Sequence, residues 1–327
     1  FNGVSVMRIF RYIFLFFIFI TLAGCQSKIE TGSSSDVQKK FKIAVVYYAP
    51  EPAVETLMRG LVDGLKNLGF EQNKNIEIMF KHCNADISNL PLILLEFDSR
   101  NYDLIIPLST PCLVSAIKTV KKTPIVFSYV SDPLAAGTGK SFTDHLPNLT
   151  GVGSFDPVKE SIDLICSILP KTKIIGTIYN SSEINSQKVV EAARKYCIEK
   201  NIKLEEITVN SSSEVYQAAQ AMVLRKIDAF YGFSDNTLTI GLDSVIKVTE
   251  KNKIPIISNV AEYIDSGTVA TVGFGWYKVG IKTSEKISEV LNGKNISEIP
   301  IENFIESDIS INRDQAKKLN IQLPEKL

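Results

Sequence analysis

The sequence predicts an α/β protein of two similar parallel-sheet lobes joined by a hinge. Three observations predict it. Short apolar runs of strand length alternate with amphipathic helical patterns from residue 42 onward. The same alternation restarts after residue 158. In both halves, short polar loops follow the strands and open the next helix. Strand–helix alternation calls for a parallel sheet with helices on both faces, and ligands bind such sheets at the carboxyl ends of the strands.

In the first half, residues 42–47 form a buried strand, and 54–68 a helix with Leu57, Leu61, Leu65 and Leu68 at helical spacing. Strand 75–80, helix 87–97, strand 103–107, helix 111–120 and strand 124–128 follow. In the second half, helix 158–169 leads to strand 173–179, helix 186–200 and strand 203–209. Helix 213–224, strand 228–231, helix 238–250 and strand 254–258 complete the repeat.

Ahead of these elements lies a different kind of segment. Arg8 and Arg11 precede an almost wholly apolar run, 13–22, that ends in Leu22-Ala23-Gly24-Cys25, with Met7 the expected first residue. The run is shorter than the roughly 18 apolar residues a membrane span needs, so 1–24 reads as a secretory signal peptide. A cysteine directly after Leu-Ala-Gly resembles the bacterial lipoprotein cleavage box. The resemblance implies that Cys25 becomes the acylated first residue of an exported, lipid-anchored protein facing the periplasm or exterior. Residues 25–40 are rich in Ser, Lys, Gln and Thr and read as a flexible tether, because they cannot bury enough surface to offset their ordering entropy.

Charge excludes some functions. With 36 basic and 36 acidic residues, nothing draws the chain to nucleic acid. Cys83, Cys112, Cys166 and Cys197 form no CxxC pair, and His82 and His145 complete no zinc spacing. His82 and Cys83 are adjacent, and neighbours on a strand point to opposite faces, so no metal site is expected. The four thiols read as buried and free, with a disulfide of the export compartment left open. Gly137-Thr138-Gly139-Lys140-Ser141 imitates a phosphate loop, but the glycine required five residues before Gly139 is Leu134. The chain has no Gly-x-Ser-x-Gly elbow and no dinucleotide fingerprint, so neither an enzyme nor a cofactor is expected.

The strand-end loops carry the candidate site. Tyr47-Tyr48-Ala49-Pro50-Glu51-Pro52 follows the first strand. Leu108-Ser109-Thr110-Pro111 follows the third, with Thr110 as N-cap and Pro111 in the first turn, a start suited to an anion. Asp132 in Ser131-Asp132-Pro133 faces a cleft or caps a turn. The second lobe offers Asn180, Ser182 and Asn185 in one loop, and Ser234, Asp235 and Asn236 in another. Polar strand-end loops in both halves suggest one small polar ligand held between them.

Several segments together resemble a known family. Asp63 to Phe70, Ser109-Thr110-Pro111, Pro124 to Ser128, Ser131-Asp132-Pro133, Asn148 to Val152, Asn180 to Ser186 and Ser234 to Thr237 occur in order. The set is similar to the tryptophan-binding type of ABC importer substrate-binding lipoprotein, over nearly the whole chain to Asn320. That resemblance implies a periplasmic-binding fold of type I closing over an amino acid, often an aromatic one. It also implies a membrane permease and a separate ATPase subunit as partners. The acidic pair many members carry after the strand at 254–258 is replaced here by Ser258-Asn259-Val260-Ala261-Glu262. The late loop Gly273-Phe274-Gly275-Trp276-Tyr277 lacks the acidic residue often found in it.

Joined to the loop reading, the resemblance places a ligand carboxylate at Ser109, Thr110 and the adjoining amides. Asp132 or Asp235 then receives the ammonium, with Tyr47, Tyr48, Phe233, Phe274 and Trp276 as candidate walls. Hinges are expected at 151–154 and 272–275, and by analogy with the fold at 300–305. They divide the chain into a first lobe of 41–152 and 274–302 and a second of 153–273 and 303–327. Gly280 and Gly293 are expected to mark helix packing and a helix end. The alternative with identical lobes is a sensory lipoprotein presenting another amino acid or a sugar to a membrane receptor.

Overall fold

The computed structural model describes residues 40–325. The expected signal peptide, the acylated Cys25 and the tether up to residue 39 lie outside the described residues. Nine helices, α1 to α9, and twelve strands are described. The strands form two six-stranded sheets.

The first sheet contains β1 (Phe41–Tyr47), β2 (Ile76–His82), β3 (Leu104–Leu108), β4 (Ile125–Val130), β5 (Leu149–Gly153) and β11 (Glu302–Asn303). Its order is β11-β5-β4-β3-β1-β2, parallel throughout. The second contains β6 (Ile174–Tyr179), β7 (Lys203–Thr208), β8 (Ala229–Gly232), β9 (Ile256–Ser258), β10 (Ala270–Phe274) and β12 (Ser307–Ile311). Its order is β12-β10-β9-β8-β6-β7, and only the β10–β12 pair is antiparallel. Central strands such as β3 are buried along their whole length, as a sheet covered on both faces requires.

Each sheet thus repeats the order 2-1-3-4-5, counted from its own first strand. In that order the switch points fall between β1 and β3, and between β6 and β8, where loops from neighbouring strands diverge and leave a crevice. The chain passes between the sheets after Gly153, after Phe274 and between Asn303 and Ser307. These passages lie side by side: β11 pairs with β5, and the Phe304 N–H donates to the Gly153 carbonyl at 2.7 Å.

The helices that cover the first sheet are α1 (Pro52–Asn67), α2 (Leu90–Ser99), α3 (Thr110–Thr119) and α8 (Trp276–Leu291). Those of the second are α4 (Val158–Ile168), α5 (Ile184–Glu199), α6 (Val215–Leu224), α7 (Asn236–Lys251) and α9 (Arg313–Lys318). The segments expected to begin helices at 87 and 213 open instead with single 3-10 turns, Ile87–Asn89 and Ser212–Glu214. The expected hinge segments 151–154 and 272–275 are the carboxyl ends of the sheet strands β5 and β10 with the residues that leave them. Gly293 follows α8 with φ +89°, a conformation that ends a helix at little cost only for glycine.

Helices α1 and α8 make the closest packing in the first lobe. A Cβ on Gly280 would stand 2.1 Å from the Leu57 carbonyl oxygen, and one on Gly60 2.1 Å from that of Tyr277. The two backbones touch there, and α8 follows directly on the second passage between the sheets. Gly280→Val is therefore expected to force the helices apart and destabilise the protein by about 1–3 kcal/mol or more. Thermal unfolding would show it as a lowered Tm; an unchanged Tm would mean the helices part freely.

Candidate functional site

The loops after β1, β3 and β4 meet those after β6 and β8 in the crevice between the sheets. Ser109 ends β3 at φ +98° and ψ +155°, and Tyr129 sits in β4 at φ +59°. Side chains other than glycine hold such conformations at a cost of about 1–3 kcal/mol each, and they gather where a ligand is bound. At Tyr129 the β4–β5 register shifts between Phe127 and Val130, which turns the tyrosine out of the sheet alternation. The structure starts α3 one residue earlier than the sequence suggests. Ser109 is the cap and Thr110 the first helical residue, with Pro111 in the first turn. Ser109 makes no capping bond to its own helix, and its Oγ has no partner.

Two small spaces of about 10 Å³ each lie between the lobes, on either side of Tyr129 and Asn236. Thr110, Ser131, Ser154, Asn185, Ser234 and Trp276 bound one. Tyr48, Ala49, Glu51, Val54, Ser109 and Ile240 bound the other. An outer groove of about 660 Å³ adjoins them through Tyr48, Thr110 and Asn185, and is also lined by Asn180, Ser182 and Glu183.

Buried polar atoms without partners concentrate here. They are the Glu51 Oε2, Ser109 Oγ, Asn185 Oδ1 and Trp276 Nε1 atoms on the lining, with Asp156 Oδ2 behind Ser234 and Glu262 Oε2 nearby. Most buried polar groups in a folded protein are paired, so a cluster of unpaired ones facing a crevice marks where a ligand supplies the partners. Their neighbours are firmly held. The Tyr129 hydroxyl donates to Glu51 Oε1 at 2.7 Å, and the Ser234 hydroxyl to Asp156 Oδ1 at 2.8 Å. Trp276 stands edge-on to Tyr129, with ring centroids 4.5 Å apart.

The electrostatics are one-sided. No lysine or arginine lines either inner space. Burial pushes Glu51 up to about 7, opposed by the Tyr129 bond and reinforced by the charges of Glu262 and Glu55. Burial likewise pushes Asp156 up to about 7 against its bond from Ser234. Glu183 rises to about 7 through burial and then the charge of Asp235. Carboxyls held this way lack a counter-charge, and a bound cation supplies one.

Of the residues the sequence singled out, Tyr48, Ser109, Thr110, Asn185, Ser234 and Asn236 line the inner spaces. Asn180 and Ser182 border only the outer groove, where the Asn180 side chain organises its loop: Nδ2 donates to Thr237, and Oδ1 accepts from Ser182.

Three others stand elsewhere. Asp235 is fully buried as the cap of α7, accepting from the Leu238 and Asn180 amides and the Ser186 hydroxyl, so its oxygens are committed within the second lobe. Asp132 accepts from the Ala135 amide and caps a turn outside the lining. Phe274 lies behind Trp276, packed edge-on against it and Phe304. Among the candidate walls, Tyr47 packs on His82, and Phe233 on Tyr231 in the core. Asn259 is buried and bonds Tyr231, Ser161 and the Val272 carbonyl.

Sequence reasoning missed Glu51, Tyr129, Ser131, Ser154, Asp156 and Glu183 as site residues. Asp156 had one legible signal: an acid just beyond the expected hinge at 151–154, directly before a helix. Cys83, Cys112 and Cys197 are buried and Cys166 half-buried, and all four are free thiols. Among the described residues, no group of three or more His, Cys, Asp or Glu is placed to hold a metal.

Two matching α/β lobes, three adjacent crossings and a crevice of unpaired polar atoms define a two-lobed solute-binding protein of the periplasmic type I fold. The family model described as ABC transporter substrate binding protein matches residues 42–327, and the chain belongs to that family. Members are solute-binding proteins rather than enzymes. The chain is 33% identical over 306 residues to a tyrosine-binding protein of Clostridioides difficile, covering 92% of this chain and 88% of the relative. It is similar to a crystal structure of an ABC domain in complex with L-Trp from Streptococcus pneumonia. That match has TM-score 0.84 and 27% identity, covering 88% of this chain and 97% of that one.

It is also similar to the ligand-free, open structure of a substrate-binding protein with adhesive properties from Clostridium difficile. There the TM-score is 0.67 at 33% identity, covering 87% and 96% of the two chains. Shape agreement is better with the ligand-bound relative although sequence agreement is poorer. The fold of this protein thus superposes better on the ligand-bound relative than on the open one.

Proposed function

We propose that the protein captures an aromatic amino acid between its lobes and delivers it to a membrane permease, as an envelope lipoprotein tethered through Cys25. The cluster of unpaired buried atoms carries this reading. Acceptors on Glu51 and Asn185 and donors on Ser109 and Trp276 line the two inner spaces from both lobes, with the Asp156 carboxyl one hydrogen bond behind Ser234. Asp156 takes the ammonium in place of Asp132 or Asp235, because its Oδ2 is buried and unpaired while its Oδ1 holds Ser234 on the lining, although its outer side borders a cavity shared with Lys159 and Lys195. The Thr110 hydroxyl and the first-turn amides of α3 take the carboxylate without needing an arginine. Tyr48, Val54, Ile240 and the Tyr129 ring enclose the side chain. The names of the tyrosine-binding and L-Trp-bound relatives support the ligand class.

Each inner space has the room of a single water, so seating an amino acid parts the sheets by rotation at the three crossings. A ligand shifts that equilibrium only through contacts it makes better in one state, and contacts from both lobes are of that kind. Thermal unfolding of the full chain against the amino acids and common sugars tests the reading. At about 100-fold over its Kd, a ligand of the folded state adds roughly 2.7 kcal/mol and raises Tm by several degrees. A rise with L-tyrosine or L-tryptophan is expected. A rise with a sugar and with no amino acid would overturn the reading.

A further inference from the structure

The two inner spaces differ in chemistry, and the difference bears on which aromatic amino acid the cleft accepts. The space beside Thr110, Ser131, Ser154, Asn185 and Ser234 is polar on nearly every side, and Ser234 ties it to Asp156. It suits the charged end of an amino acid. Across Tyr129, the second space is walled by Tyr48, Ala49, Val54 and Ile240, and it suits a side chain.

Ser109 and Asn236 also border this space, and Glu51 is the one carboxyl that lines it. Glu51 precedes the first residue of α1 and is half-buried as a residue, but its Oε2 is shut from solvent and has no partner. Its other oxygen holds the Tyr129 hydroxyl at 2.7 Å. No cation faces it. Glu55 lies on its own helix and Glu262 comes from the other lobe, while Arg59 acts on Glu262. A ligand with a hydrocarbon tip would seal this oxygen off without a partner, which costs more than any contact there would return. A phenol O–H or an indole N–H at the tip would satisfy it.

Resting on the aromatic amino acid reading above, we propose that Glu51 is a specificity-determining residue that accepts the polar hydrogen at the tip of the ligand side chain. The cleft then takes tyrosine or tryptophan and discriminates against phenylalanine. A site built to bond a hydroxyl or N–H rejects the analogue lacking it, because its own buried group is left unpaired.

Calorimetric titration of the full chain at about pH 8, where Glu51 is ionised, with L-tyrosine, L-tryptophan and L-phenylalanine tests this in the wild type, Glu51→Gln and Glu51→Leu. The wild type is expected to bind tyrosine or tryptophan roughly 10- to 100-fold more tightly than phenylalanine, the range of one hydrogen bond to a charged group. Glu51→Leu is expected to erase that ratio, and Glu51→Gln, which keeps an acceptor, to preserve part of it. Should Glu51→Leu fail to fold, the wild-type ratio and the Gln variant still decide. Equal wild-type affinities for the three, or a leucine variant that weakens all three by one factor, would overturn the proposal while the ligand class stands. If none of the three binds, the ligand class itself is wrong and the role of Glu51 falls with it.

Discussion

Asp156→Asn is expected to weaken binding of the aromatic amino acid severely while leaving the unliganded protein at least as stable as the wild type. Removing one partner of a buried, hydrogen-bonded charge pair costs about 2–5 kcal/mol, roughly 30-fold to several thousandfold in affinity. The amide is nearly isosteric, and its oxygen still accepts from the Ser234 hydroxyl, which bonds Asp156 at 2.8 Å. What it lacks is the charge that the ligand ammonium needs. In the empty cleft that charge is a burden, since it is buried without a cation, so the variant loses a desolvation cost. Calorimetry for Kd and thermal unfolding for Tm separate the two effects. A Kd within a few-fold of wild type would move the ammonium to another carboxyl, and a sharply lowered Tm would mean that Asp156 serves the fold.

Unliganded protein is expected to lose stability as pH rises from about 5 to about 7, and the ligand to bind more tightly over the same interval. Glu51, Asp156 and Glu183 are each raised by burial to about 7 in the folded protein, well above the ordinary carboxylate range of the unfolded chain. Between those limits the folded state holds more protons than the unfolded one, so stability falls as pH rises and levels off above about 7. Carboxylates lowered by their partners, such as Asp98 with its bonds from the 121–123 segment, act only below the ordinary range and are silent here. Each pKa unit is worth about 1.4 kcal/mol, and each kcal/mol moves Tm by roughly 2–4 °C.

A Tm several degrees higher at pH 5.5 than at pH 7.5 is therefore the expected result without ligand. An ammonium in the cleft favours the ionised carboxyls, so the ligand-induced rise in Tm should be larger at pH 7.5. Equal Tm values at the two pH values would show that water reaches these carboxyls freely.

The strand–helix alternation made the architecture legible, because buried parallel strands and amphipathic helices leave different periodicities. Residues 42–47 and 203–209 were bounded to within a residue or two of β1 and β7. The edge pieces were not legible: β11 has two residues and takes its identity from β5, a partner 150 positions away. Half of the candidate site was readable from strand ends, since Tyr48, Ser109, Thr110, Asn185, Ser234 and Asn236 all follow strands and line the two inner spaces.

The choice between acids was not. The strand-end loops offer Asp132 and Asp235 for an ammonium, and nothing in their pattern points on to Asp156. Only hydrogen bonding distinguishes the spent cap at Asp235, with three donors on its oxygens, from the unpaired oxygen at Asp156. Tyr129 escaped notice because a regular strand would turn it the other way, and a local register shift overrides the alternation.

The chain contains a single tryptophan, and the fold places it at the second passage between the sheets, between the rings of Tyr129 and Phe274. Its indole N–H is buried and unbonded in the crevice. The protein thus carries its own optical gauge. Indole emission shifts with the polarity around the ring, and no second indole in the protein dilutes the signal. Excited selectively, Trp276 reports the opening and closing of one molecule as it happens, with tyrosine as the silent ligand and no dye attached.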